Sequence, residues 1–502
     1  MVGEKTMEKK NLKFNAELSF GAVRLDNIAC EIVFPKKQDE KVILQAQLKA
    51  SDLKESDFSL REIPFVFSLK AAFSNQQSNF LEISSDRVYN LGIQTLYCAT
   101  NQEFSILKGE PVNLKVREFI PKHKNQELDE IQEKQKHFLF WLTQSKQLSP
   151  CHSTKLDYNG NVSVETFNSK TVEIISGLNF NFIDYYFHYN EPNRKNIRIS
   201  ESVLAAELLC FTECTLGESI FPAIDMFLKL VSFSERRRVV CYGYKSFVDG
   251  TIVDFYRGDI SVPEENFEHS FDEFLIDRSD FEEFIVKSLI PVKSCIFKEY
   301  LLDAIGKTAY VEYSTLESEY LSYYSALENL INGYRDIHNF HHILNKDNWN
   351  KFSKDLKKFI KNHDLFKDDS NADEKKQLKI KEDRILIYEK IAELNRISFG
   401  TALKLFCESY QIDLNDLWPL GGREVSVSLT MIRNRLIHGG RFEREEYDAL
   451  ICAKSHLKWT LERCILRVLD WDVEKSNVCS QFLKHYVAYN EWKGRISLLK
   501  QN

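Results

Sequence analysis

Arg433, Asn434 and His438 fall within six residues of one another in the string SLTMIRNRLIHGG. Their types suit proton transfer by an imidazole beside an anion that a guanidinium holds. The spacing supports that chemistry. At 100° per residue, Val425, Leu429, Ile432 and Leu436 stack within about 60° of one another and form a core-facing stripe, while Asn434 and His438 lie roughly opposite it and Arg433 sits on its flank. Three polar groups therefore leave one helix without entering its own core. Gly439 and Gly440 follow at once, and glycine just past the last helical residue is the usual stop because it accepts the left-handed conformation. His438 then belongs to the final turn, beside the negative end of the helix dipole, a setting for a group that both takes and gives protons. Of all the arginines in the chain, Arg433 alone has a histidine five positions later. Arg435, Arg441 and Arg444 add positive charge around it.

Other clusters point to structure. His338, His341 and His342 have no cysteine and no evident acidic partner to complete a metal site, so they read as a polar helix terminus. Arg236, Arg237 and Arg238 read as the exposed start of a strand. The 11 cysteines lie far apart, and the closest pair, Cys210 and Cys214, has no second pair or histidine at zinc spacing. They read as buried free thiols of a reducing cytoplasm. No GxxxxGK[ST], no helix-opening GxGxxG, no HExxH and no GxSxG occurs, so neither a metal nor a cofactor is expected.

The elements that must position the motif change character along the chain. To about residue 115, runs such as KNLKFNAELSF, ACEIVFP, KVILQAQLKAS, FVFSLKAAF and IQTLYCAT alternate as strands do. From Lys122 to about Lys146 the apolar residues Leu128, Ile131, Phe138 and Trp141 or Leu142 fall at roughly helical spacing, which predicts a connecting helix. Strand-like runs return to about Val262, with a hairpin expected at Asp249–Gly250 and a more helix-like stretch at ESVLAAELLCFTECTLG. After Ser279 the period becomes 3.6, interrupted at Pro291. Ser314 and Glu317 have capping-box spacing ahead of the stripe Tyr320, Tyr324, Leu327, Ile331 and Tyr334. Further helices are expected at about Trp349–Asn362 and Asp383–Tyr410, with DLFKDDSNADEKKQ as a polar loop between them, and along Leu450, Ala453, Leu457, Leu461, Cys464 and Val468. The expected fold is α+β. A β-rich region, residues 1–295, has two subdomains at about 1–120 and 150–295 joined by the helix, and an all-α bundle follows over residues 296–502.

With 43% hydrophobic and 28% charged residues the chain is a folding sequence, and its 502 residues exceed one ordinary core. No run approaches the roughly 18 uncharged apolar residues of a membrane span, so no membrane partner is expected. The net charge of -7 argues against global coating of nucleic acid, but it is uneven: 31 basic against 30 acidic residues over 301–502, and 36 against 44 before them. Only the C-terminal part tolerates a polyanion.

The string Arg433-Asn434-Arg435-Leu436-Ile437-His438 resembles the R-[N/D/H]-x-x-x-H signature of HEPN domains, and Tyr323-Tyr324-Ser325-Ala326-Leu327-Glu328 resembles the aromatic-x-x-Ala-Leu-Glu segment of ApeA-type antiphage proteins in that group. The resemblance covers residues 300–502, with the β-rich remainder similar in architecture. It implies a metal-independent endoribonuclease, an antiphage effector of abortive infection, with RNA as substrate and tRNA among the candidates. It implies a homodimer or higher homo-oligomer whose paired helices share one cleft, and an N-terminal region that restrains the nuclease until a phage-derived trigger arrives. Arg433 would then stabilise the developing phosphorane charge, His438 of each protomer would share acid and base work, Asn434 would orient His438 or the phosphate, and Glu328 would orient His438 or Arg433. Arg435, Arg441 and Arg444 become candidate RNA contacts. The alternatives are a non-catalytic module of the same type that binds RNA or protein, and a plain helical dimerisation domain.

Overall fold

The chain divides into two units, Met1–Asp272 and Glu273–Asn502. In the computed structural model the described residues before 136 are the eight strands β1 to β8 named below; from 136 onward the chain is described except for 157–161, 168–169, 176, 191–196, 211–218, 249–250, 258–273, 310–314, 367–373, 423–425 and 500–502. The fold is α+β: antiparallel sheets in the first unit, helices in the second.

One sheet of the first unit has six strands in the order β6-β4-β1-β2-β3-β7, formed by β1 Leu12–Phe20, β2 Val23–Val33, β3 Ile43–Lys49, β4 Val66–Lys70, β6 Tyr89–Asn90 and β7 Phe104–Gly109. The expected run IQTLYCAT lies outside the described residues. A second sheet has eight strands in the order β12-β13-β14-β9-β15-β16-β8-β5, from β5 Leu81–Ser84, β8 Asn113–Phe119, β9 Lys136–Leu142, β12 Thr171–Ile175, β13 Leu178–Asn190, β14 Ile197–Cys210, β15 Cys241–Val248 and β16 Thr251–Arg257. The pair β10 Cys151–Leu156 and β11 Val162–Phe167 stands apart from both. Helix α1, Phe221–Glu235, packs on the eight-stranded sheet, with the Phe227 ring stacked 5.6 Å from that of Phe182 and Phe221 edge-on to Phe140 at 5.9 Å. In β15 and β16, Val248 faces Thr251, the register a two-residue connection demands; Asp249 and Gly250 themselves lie outside the described residues.

Two helix expectations in this unit are corrected over the part the structure describes; Leu128, Ile131 and the run FTECTLG lie outside the described residues. Phe138, Trp141 and Leu142 belong to strand β9, which sits between β14 and β15. A central strand covered on both faces is apolar at consecutive positions: Phe138, Leu139, Phe140 and Leu142 are all buried, and such a run mimics helical spacing. Likewise SVLAAELLC is the second half of β14, paired with β13 and β9. Burial of Leu204, Ala205, Ala206 and Leu208 within that ladder overrides the helix propensity of alanine and leucine.

The helical unit comprises α2 Phe281–Ser294, α3 Lys298–Ala309, α4 Leu316–His338, α5 Lys346–Asn362, α6 Glu374–Ile391, α7 Phe399–Tyr410, α8 Leu429–Ile437, α9 Tyr447–Val468, α10 Ser480–Leu483 and α11 Val487–Arg495. Pro291 lies inside α2 and does not end it, and the second unit begins at Glu273. Helices α4 and α9 are the packing centre. Every residue of the two predicted stripes, Tyr320 to Tyr334 and Leu450 to Val468, is buried, each large side chain contributing about 2–3 kcal/mol of transfer free energy. Gly333 lets α3 approach α4, since a Cβ there would meet the Tyr300 ring at 2.7 Å.

The cap of α4 is Thr315, whose hydroxyl accepts from the Ser318 N–H at 3.2 Å, rather than the predicted pair of Ser314 and Glu317. The single helix expected over Asp383–Tyr410 is two. The Asn395 amide turns inward to bond both backbone groups of Leu344 at 2.7 and 3.1 Å, and Ser398 caps a new helix through the Thr401 N–H at 3.2 Å. The expected polar loop is shorter, because α6 already starts at Glu374.

Candidate active site

Helix α8 has nine residues and is held from both ends and from one side. Ser428 caps its start, accepting from the Met431 N–H at 3.3 Å. The Leu429 and Thr430 N–H groups, which no helical carbonyl can reach, donate to Pro419 and Leu420 at 3.1 and 3.0 Å. Leu429 and Ile432 are buried and Leu436 half-buried, as the wheel requires; Val425 lies outside the described residues. At the far end the Gly439 N–H donates to Leu436 at 3.2 Å and the Gly440 N–H to Arg435 at 2.8 Å, with Gly439 at φ +77°. This double closure is the Schellman stop that two glycines predict. His438 is the residue on which the helix ends.

From the side, α4 presents three residues at four-residue intervals. The Tyr320 hydroxyl donates to the Leu429 carbonyl at 2.7 Å, the Tyr324 hydroxyl pairs with that of Thr430 at 2.8 Å, and Glu328 pairs with Arg433. One face of α4 thus sets the position of successive turns of α8. The tyrosines are buried, so their hydroxyls must find partners, and those partners are on the motif helix.

Arg433 is the hub. One terminal nitrogen donates to both Glu328 oxygens at 3.3 and 3.4 Å, the other donates to Asn434 Oδ1 at 3.2 Å, and the guanidinium carbon lies 5.5 Å from the centroid of the Tyr324 ring. The pair is half-buried, with side chains 29% and 31% exposed. A guanidinium has five N–H donors, so Nε and the spare Nη1 proton remain for an anion. Asn434 and His438 are exposed, and the His438 ring makes no hydrogen bond among the described residues. Within one chain Asn434 is aligned by Arg433 rather than placed against His438. Met431, 48% exposed, shares their line at i, i+3 and i+7, and Ile437 beside them is 51% exposed.

Arg435 has a different task from the RNA contact expected of it. It makes a two-pronged ion pair with Glu446 at 2.8 and 2.7 Å, donates to the Arg441 carbonyl, and lies 4.2 Å over the Phe442 ring. Its carboxylate partner is 1% exposed, so this guanidinium neutralises a buried charge. Arg441 and Arg444 are exposed, and neither has an ion pair among the described residues.

His456 gives the contrast that isolates His438. It is fully buried in α9, takes the Trp418 N–H on Nδ1 at 3.0 Å and sets Nε2 3.1 Å from the Ala488 carbonyl. Burial pushes its pKa down to about 4. Both nitrogens are occupied, leaving no site for a substrate proton. His338 ends α4 with its ring 4.4 Å from that of Tyr334, and His341 lies 3.2 Å from Asp336, a partner that spacing did not reveal. Among the described residues no group of three His, Cys, Asp or Glu could hold a metal ion. No described helix is long and apolar enough to cross a membrane.

The family resemblance pointed to Glu328 but not to Tyr320, Tyr324 and Thr430 as supports of the site. Their signal was present: two tyrosines at four-residue intervals before Glu328 cannot bury without hydrogen-bond partners. Comparison of the chain with protein-family models, with curated proteins and with solved structures finds no match.

Proposed function

We propose that the protein is a metal-independent endoribonuclease of the HEPN type whose site is completed when two α8 helices pair. The observation that carries this reading is the convergence of Glu328, Arg433 and Asn434 beside the exposed, unbonded imidazole of His438 at one helix end. Cleavage without a metal requires a base for the ribose 2′-hydroxyl proton, an acid for the departing 5′-oxygen and positive charge at phosphorus. Among the described residues one chain brings one such histidine to the site, and the exposed Met431 and Ile437 beside it suit burial against a second copy.

In the paired site, neutral His438 takes the 2′-hydroxyl proton as that oxygen attacks phosphorus. The P–O5′ bond breaks, and protonated His438 of the partner subunit gives its proton to the 5′-oxygen. The products are a 2′,3′-cyclic phosphate and a 5′-hydroxyl. Arg433, fixed by Glu328, offers its remaining N–H donors to the phosphorane oxygens, and Asn434, aligned by Arg433, contacts the ribose or phosphate. RNA, with tRNA among the candidates, is the substrate class; the biological role is an antiphage effector, with the β-rich unit sensing a phage-derived trigger and restraining the nuclease.

The test is incubation of the full chain with labelled RNA in excess chelator. Cleavage to 2′,3′-cyclic phosphate ends, lost in His438→Ala, is the expected result; cleavage that survives His438→Ala, or RNA binding without any cleavage, overturns the reading.

A further inference from the structure

Helix α5 is unlike the rest of the helical unit. Its sequence, KDNWNKFSKDLKKFIKN, carries six lysines against two aspartates and has no fully buried residue. Trp349, Ser353, Leu356 and Ile360 share the half-buried face, and the helix packs on α6, whose Tyr388 hydroxyl donates to the Lys357 carbonyl at 3.0 Å. Away from that face, Lys351, Lys354, Lys358 and Lys361 fall within about 80° of one another. All four are exposed, and none makes an ion pair among the described residues, not even Lys351 with Asp355 one turn on. Like charges three and four residues apart repel, so this face gains from a polyanion.

Beside the lysines stand two phenylalanines that folding leaves in water: Phe352, 50% exposed, and Phe359, 66% exposed. Each follows a lysine, and the Lys-Phe pairs recur seven residues, about 10 Å, apart. The α5–α6 hairpin is inserted between α4 and α7, and its base is clamped by Ile343 N–H to the Asn395 carbonyl at 2.8 Å and Ile397 N–H to the His341 carbonyl at 3.0 Å. From Glu328 to His338, α4 rises about 15 Å. A strand of a few nucleotides spans that distance.

We infer that α5 is a docking arm for single-stranded RNA, in which Lys351, Lys354, Lys358 and Lys361 take phosphates and Phe352 and Phe359 stack on unpaired bases. An anionic membrane is the weaker fit, because Trp349, Leu356 and Ile360, the residues a bilayer would need, are turned into packing. Two separated flat rings among cations match bases on a backbone. The choice of RNA as ligand rests on the ribonuclease reading, and binding is therefore measured apart from cleavage.

The test uses the full chain carrying His438→Ala and a fluorescent single-stranded oligoribonucleotide, titrated across a salt series. Replacing the four lysines by glutamine is expected to weaken binding at low salt by tenfold or more and to reduce the slope of log affinity against log salt by about 3. Phe352→Ala with Phe359→Ala is expected to weaken single-stranded binding by about tenfold and leave a duplex of the same length unaffected. These are exposed positions, so circular dichroism and melting should match the parent. Unchanged affinity and slope in the lysine variant overturn the arm, whatever the cleavage assay shows. Lysine-dependent binding to anionic vesicles with none to RNA overturns it in favour of a membrane. Lysine-dependent RNA binding in a chain whose wild type cleaves nothing upholds the arm and removes only the nuclease.

Discussion

Glu328 and Arg433 are 105 positions apart in the chain and 3.3 Å apart in space, and their pairing joins the helix that packs the core to the helix that carries the motif. The carboxylate takes one terminal nitrogen of the guanidinium and so turns the rest toward solvent. Glu328→Gln keeps the shape and loses the charge. Cleavage at saturating RNA is expected to fall about tenfold with KM little changed, because Arg433 remains but is less well aimed. Arg433→Ala, which removes the positive charge that the proposed mechanism sets against the phosphate, should cost about a hundredfold or more. Equal losses in the two variants would place Glu328 in direct contact with the substrate instead.

Pairing makes a prediction about mixtures. If each cleavage needs one His438 as base and a second as acid, only dimers with two intact histidines turn over. Equal amounts of wild type and His438→Ala, exchanged to equilibrium, should retain about one quarter of wild-type activity, whereas independent sites give about one half. Activity measured against the fraction of wild type distinguishes a square law from a straight line.

Arg435 and Arg444 separate stability from RNA contact. Arg435→Ala leaves the Glu446 carboxylate, 1% exposed, without its partner, and should destabilise the helical unit by about 3 kcal/mol, or roughly 10 °C in melting temperature. RNA affinity at a temperature where the variant is folded should be unchanged. Arg444→Ala, at an exposed residue, should leave the melting curve alone. Calorimetry and anisotropy on the same two samples check both halves.

What the sequence disclosed followed the reach of its signals. A 3.6-residue stripe reports one face packed against one neighbour, and the stripes of α4 and α9 and the glycine stop after His438 were legible for that reason. Strand β9 was not, because covering on both faces erases the alternation that marks a strand. Arg433, Asn434 and His438 could be named from one helix wheel, since their relation to the core is local. The commitment of Arg435 to Glu446 could not: position 435 is half-buried on the same wheel, and only the turn after Gly440 brings Glu446 under it. The break between α6 and α7 depended on Asn395 reaching Leu344, a contact across 51 positions that no window of periodicity contains.

His456 predicts how the helical unit responds to acid. Its folded pKa of about 4 lies below the unfolded value of 6.5, so in the interval between them the unfolded chain binds the extra proton. Stability from this group is complete above pH 6.5, declines as the pH falls toward 4 and changes no further below that. The loss is on the order of 3 kcal/mol. Melting temperature should therefore fall through this window, and in His456→Gln, which has no proton to gain, the fall should be largely absent although the starting stability is lower. Asp416 acts in a different range: burial opposes its charge, but hydrogen bonds from Arg463, Ser480 and Tyr489 hold its carboxyl well below the usual carboxylate range. Its contribution is present above the unfolded carboxylate value near 4 and is lost only in stronger acid. A melting series from pH 7 to pH 3 on wild type and His456→Gln separates the two: the curves should converge in shape only below about pH 4. A wild-type curve flat between pH 6.5 and 4 would mean that burial does not hold the imidazole neutral.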